Sequence, residues 1–184
     1  MRKIFFSIIL LIGISVAGFG QKYFTRSGYV RFFSSTPIEN IEAINNQGSC
    51  IVDLATGEVV SKLLMKSFVF EKTLMQEHFN ENYVESDLYP QAVLKGKVLD
   101  VGSFDLSKKG SQAISLNADI TIHGVTKNMD IKGTGENVEG KLQANATFIL
   151  KPADFNIVIP KIVANNIAKE IEVTVKFTLE PLKQ

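Results

Sequence analysis

The chain has 184 residues, 45% of them apolar, with a formal net charge of +1, one cysteine and two histidines. A single cysteine excludes an internal disulfide, and a near-neutral balance leaves no basic footprint for a nucleic-acid partner. Roughly 160 residues beyond the N-terminal segment are enough for one self-supporting core.

The first twenty residues read as a secretory signal peptide. Arg2 and Lys3 give a basic start, residues 4–16 form an apolar or small run, and Ala17, Gly18 and Gly20 follow. That run is shorter than the ~20 apolar residues a spanning helix needs, so no stable membrane anchor is expected. Cleavage fits after Ala17 or after Gly20. The second site puts Gln21 first and leaves 21–184 as one domain, with no nearby cysteine for a lipoprotein anchor. Loss of Arg2 and Lys3 takes the charge from +1 to −1. The expected location is periplasmic or secreted.

Period-two alternation dominates the rest of the chain. Strands are expected at 28–34, which holds the pair Phe32-Phe33, and at 49–53 and 58–66, divided by Thr56-Gly57. Cys50 lies in the apolar stretch Ser49-Cys50-Ile51-Val52 and reads as a buried small hydrophobe. Residues 70–80 break the alternation with good helix formers, putting Phe70, Leu74 and Met75 on one helical face. A strand at 92–98 comes next. Leu116, Ala118, Ile120 and Ile122 then alternate with polar neighbours, and Gly124-Val125-Thr126 turns the chain into 128–133. Glu136-Asn137 and Gly140 lead into the alternating Leu142, Ala144, Ala146 and Phe148.

A second break spans 153–166, where Asp154 caps a short turn before Pro160. The last strand is the cleanest, with Ile171, Val173, Val175, Phe177 and Leu179 on one side. One apolar and one wet face mark an antiparallel sheet. The pattern therefore predicts an all-β fold of about eight strands, a number at which a barrel closes around side chains or one small ligand. The two breaks are expected to cover a barrel mouth or a sheet face. Small inward residues at Ala92, Gly96, Ala118, Ala144 and Ala146 leave cavity and filled core equally open.

Catalytic apparatus is sparse. No nucleophile elbow, phosphate loop, dinucleotide fingerprint or metal-ligand spacing occurs, so no enzyme activity, metal or cofactor is expected. The acidic run Glu77, His78, Glu81, Glu85 and Asp87 reads as the solvated side of a short helix and its loop. His123 reads as a hydrogen-bonding residue at the end of a strand. A lipid-modifying enzyme using His78 or His123 is the alternative, and a structural or stress-response protein with a filled core is a third.

Ile120-Thr121-Ile122-His123-Gly124-Val125-Thr126-Lys127 resembles the strand–turn signature of the YceI-like proteins. Residues 68–98, with Asp87, Tyr89 and Pro90, resemble that family's middle segment, and residues 28–35 resemble its opening strand. The similarity covers nearly all of 23–181. It implies an extended eight-stranded lipocalin-like antiparallel barrel with one or two short helices. It also implies an exported, non-catalytic protein that holds a long-chain isoprenoid or fatty-acyl lipid in its lumen. Phe68, Phe70, Leu74, Met75 and Phe79 are the lining candidates from the middle segment, joined by Leu116, Ala118 and Ile120 of the alternating strand. The oligomeric state stays open, a dimer included.

Overall fold

A computed structural model describes residues 22–182; the expected signal peptide at 1–20 lies outside the described residues. Nine strands occur among them: β1 (Lys22–Ser35), β2 (Asn40–Asp53), β3 (Glu58–Leu64), β4 (Val69–Phe70), β5 (Gln91–Val98), β6 (Gln112–Ile122), β7 (Val125–Val138), β8 (Lys141–Leu150) and β9 (Ile171–Pro181). Eight of these run in the order β1-β2-β3-β5-β6-β7-β8-β9, and β9 pairs back onto β1 to close an antiparallel barrel. The two-residue β4 is an addition to the expected eight and rides on β2 through Ala43 and Phe70.

The inward faces follow the expected alternation on β6, β8 and β9. On β1 and β2 they do not follow one phase. Tyr23 and Thr25 are buried on β1, and then Gly28, Val30 and Ser34. Ala43 and Asn45 are buried on β2, and then Gly48, Cys50 and Val52. Each strand slips by one residue at a bulge, and the β1–β2 register shifts on both sides of Gly28. The bulge is held from inside: Asn45 is fully buried, donates to the Leu64 carbonyl at 2.9 Å and accepts from the Gln47 amide at 2.8 Å. Both strands are thus longer than the runs 28–34 and 49–53 that single-phase alternation predicts.

Two hairpins use two-residue turns with positive φ at both positions. Ile122 pairs with Val125 around His123 (φ 51°) and Gly124 (φ 73°), and Val138 pairs with Lys141 around Glu139 (φ 53°) and Gly140 (φ 81°). Such turns match the right-handed twist of the flanking strands. The β6–β7 turn is therefore tighter than Gly124-Val125-Thr126, and Val125 already belongs to β7. A non-glycine residue held left-handed costs about 1–2 kcal/mol, and the two turns differ in their surroundings: Tyr89 lies over Gly124, whereas Glu139 and Gly140 are exposed.

The expected helix at 70–80 is shorter and later. Helix α1 (Thr73–His78) passes into a π-helical turn at Phe79–Tyr83, while Phe70 is a strand residue. At the second break the chain makes two 3-10 turns, Pro152–Phe155 and Lys161–Val163, around Pro160; Asp154 lies inside the first turn and does not cap it, the N-cap position being Lys151. No helix among the described residues is long and apolar enough to cross a membrane.

Gly28 lets the Phe177 ring pass over the bulge, since a Cβ there would sit 2.2 Å from Phe177 Cδ1. Gly28→Ala is expected to destabilise the fold by about 1–3 kcal/mol, the usual cost of overpacking. Urea denaturation of the two proteins measures the difference, and an unchanged midpoint would show that the bulge is not filled by that ring.

Candidate functional site

The barrel is hollow. Towards the turns joining β2 to β3 and β5 to β6 lies a chamber of about 190 Å³, walled by residues such as Cys50, Val59, Leu116, Ile131, Ala144 and Phe177. Towards α1 lies a second chamber of about 300 Å³, walled by residues such as Phe32, Phe68, Met75, Phe79, Phe155 and Ile167. Val30, Leu63, Ala92, Ile122, Leu150 and Val173 line both, so the two chambers meet at a shared waist. A filled core is therefore not what the strands enclose. The small inward residues explain the space: Ala92, Ala144 and Ala146 face it where larger side chains would close it.

The sequence-derived candidates divide. Phe68, Phe70, Met75 and Phe79 line the upper chamber, and Leu116 and Ile120 line the lower one. Leu74 does not join them and is 60% exposed. It follows from the late start of the helix: with Phe70 supplied by β4, the inward apolar positions of α1 and its π turn include Met75 and Phe79, four apart, and Leu74 points outward. Ala118 lies on neither chamber. It is 1% exposed in the wall cluster with Ile120, Ile131 and Phe155, and faces Gly96, whose added Cβ would lie 2.7 Å from its own.

Four phenylalanines organise the upper chamber. Phe79 lies 5.4 Å from Phe32, 5.8 Å from Phe68 and 5.1 Å from Phe70 between ring centroids. Phe32 is 5.5 Å from both Phe68 and Phe70. Aromatic pairs at these distances are worth about 0.5–1.5 kcal/mol each beyond their burial. They dock α1 and β4 onto β1, which turns the first break in the β pattern into a cover for this end. The second cover, residues 151–170, takes in the break at 153–166 that was expected to cover a barrel mouth or sheet face, but none of its residues was among the lining candidates, although Ile157, Ile159, Val163 and Ile167 all line the chamber. Its signal was the apolar density of Ile157-Val158-Ile159-Pro160-Lys161-Ile162-Val163, unusual for a loop.

Most polar groups on the lumen lie at the upper end, with Ser61 and Asn145 on the lower chamber. Ser34 is 2% exposed, and its Oγ accepts from the Ala168 amide at 2.8 Å. Glu39 takes Lys72 Nζ at 2.8 Å and the Asn166 amide at 3.4 Å. These two bonds, Lys72's first, hold its carboxyl below the usual carboxylate range. Burial pushes the Tyr83 hydroxyl the other way, above its ordinary value. Neither lining contains a lysine or arginine.

His78 is exposed yet borders the upper chamber, whereas His123 borders neither and instead faces Glu85. Glu77 and Glu81 are exposed at the surface, and Asp87 pairs with Lys66. Among the described residues no three His, Cys, Asp or Glu side chains come together as a metal-holding group.

Comparison with known proteins agrees with this architecture. A model of the YceI-like domain family matches residues 26–179. A polyisoprenoid binding domain from Saccharophagus degradans implicated in plant cell wall breakdown superposes with a TM-score of 0.76 at 14% identity, covering 88% of this chain and 98% of its own. BcnA of Burkholderia cenocepacia gives 0.69 at 14% identity, covering 83% and 95%. The YCEI protein of Campylobacter jejuni gives 0.59 at 15%, covering 76% and 84%. No curated protein sequence matches the chain.

Cys50 faces the lower chamber at 3% exposure, and burial pushes its thiol up to about 12. A rise of that size above an ordinary thiol lowers the thiolate fraction at pH 8 roughly a thousandfold. Ellman's reagent should thus react with the folded protein at least ~100-fold more slowly than with the protein in denaturant. Equal rates would place the thiol outside the lumen.

Proposed function

We propose that this chain, which belongs to the YceI-like domain family, holds one long apolar lipid along its barrel lumen and acts by binding rather than by catalysis. The two chambers carry the proposal: they share six wall residues and offer hydrocarbon along nearly their whole length. Burying a methylene contributes about 0.8 kcal/mol, so ten of them supply ~8 kcal/mol before the cost of ordering the chain. That gross sum would be micromolar at zero ordering cost, so a useful net affinity calls for a chain longer than ten methylenes. The description of the Saccharophagus degradans domain as polyisoprenoid binding supports an isoprenoid as cargo, with a fatty-acyl chain fitting the same walls.

The ends of the lumen differ, and the difference supports one orientation. The tail fits the lower chamber, and a polar head lies near Ser34, Glu39 and Asn166. The basic, apolar and small residues in order over 1–20 support export. An exported carrier or store would meet its cargo in water, where a long lipid needs an escort.

Lipid extracted from gently purified protein is expected to give a stoichiometric long-chain species by mass spectrometry. Ala92→Phe, which fills the waist, is expected to shorten the longest chain retained. Only mixed membrane lipid at low occupancy, or an unchanged species at full occupancy in the variant, would overturn this function.

A further inference from the structure

We infer that His123 is the positioning residue that holds both covers of the upper chamber onto the barrel and so sets how fast cargo exchanges; this rests on the lumen function proposed above. Its Nε2 lies 2.6 Å from Glu85 Oε2, and its Nδ1 lies 3.1 Å from the Phe155 carbonyl oxygen. Glu85 follows the π-helical turn that places Tyr83 and Val84 on the chamber wall. Phe155 is a wall residue of the second cover. One imidazole on the β6–β7 turn therefore ties the first cover, the second cover and the barrel together.

The surroundings are built for that ring. Tyr89 packs edge-on against it at 4.7 Å and 70°. The same Tyr89 lies over Gly124, where an added Cβ would come within 2.7 Å of its Cε1. The motif residues His123-Gly124 and Tyr89 thus form a single joint. A second tie exists where Lys72 of the first cover and Asn166 of the other both bind Glu39. The Lys72 and Glu39 side chains are 62% and 23% exposed there, against 12% and 44% for His123 and Glu85, and the His123 ring is the most shielded of the four. Exposed pairs contribute little, and shielded charge-assisted bonds are the strong ones. The controlling joint is the one at His123.

Both partners of the ring only accept hydrogen bonds. The imidazole satisfies both when it carries two protons, and a neutral ring has one N–H to give. Among the described residues the groups placed against it are the Glu85 carboxylate and the Tyr89 ring from one cover and the Phe155 carbonyl from the other. The joint is therefore complete with the doubly protonated ring and one bond short with the neutral ring.

The full chain, loaded with a pyrene-labelled long-chain alcohol, is mixed with phosphatidylcholine vesicles carrying a quencher, and the transfer rate is read between pH 6 and 8. Wild-type transfer is expected to speed up as pH rises. His123→Asn accepts the left-handed turn but is too short to reach both partners. It should transfer about tenfold faster with a flat pH profile, as expected for losing a charge-assisted bond. Glu85→Ala changes a half-buried group, keeps the joint testable if the first variant fails to fold, and should move the rate the same way. Lys141→Ala, which removes an exposed pair with Glu180 at the β7–β8 turn away from both covers, should leave it within twofold. Wild-type rates and pH profile in both the His123 and Glu85 variants, or in Glu85→Ala alone if His123→Asn fails to fold, would overturn the latch. Failure of the wild type to load the probe at all would instead count against the lumen function.

Discussion

β1 is hydrogen-bonded along one edge to β2 and along the other to β9, and the hollow interior depends on that double pairing. An open sheet of eight strands would expose two edges and leave its apolar face to be covered by something else. Closure turns that face inward without a helix layer or a disulfide. The outer surface marks the same seam: Arg31 on β1 reaches Glu42 on β2 at 2.6 Å and Glu172 on β9 at 3.3 Å, and lies over the Phe33 ring. These contacts are half in water and add little energy. Their value is in register, because a slip of one residue would turn every lumen-facing side chain outward.

Alternation made most of the wall legible in the sequence. On β6, β8 and β9 a single phase runs through each strand, so Leu116, Ile120, Ala144 and Val175 could be assigned to the inside from their neighbours alone. β1 and β2 hid half their length because each changes phase at its bulge. Across Arg26-Ser27 and Asn46-Gln47 the buried positions switch parity, and two half-strands look like one strand beside irregular chain. Nothing local announces such a slip except the glycines Gly28 and Gly48, which meet in the folded barrel.

The covers were less legible, for a different reason. Helix periodicity placed Phe70, Leu74 and Met75 together, but the chain stays extended through Phe70 to pair with Ala43, and tertiary pairing wins over local propensity. Residues 151–170 carried no periodicity at all, only an excess of isoleucine and valine. The polar ties were the least visible, since Glu39, Glu85, His123 and Asn166 are scattered through the chain and meet only once the barrel has closed. The resemblance had pointed to two separate motifs, and the fold shows that Tyr89 of one packs on His123-Gly124 of the other.

The waist shared by the two chambers also bears on the protein's own cohesion. Residual volume inside a core costs on the order of 24 cal/mol per Å³, so spaces of about 190 and 300 Å³ represent about 5 and about 7 kcal/mol that packing has not supplied. Cargo that filled them would complete the core as much as occupy a pocket. Loaded and empty molecules then differ in resistance to unfolding, and a protease reaching transiently opened chains would clear the empty ones first. Turnover itself would act as a sorting step, and the surviving population would be enriched in occupied protein.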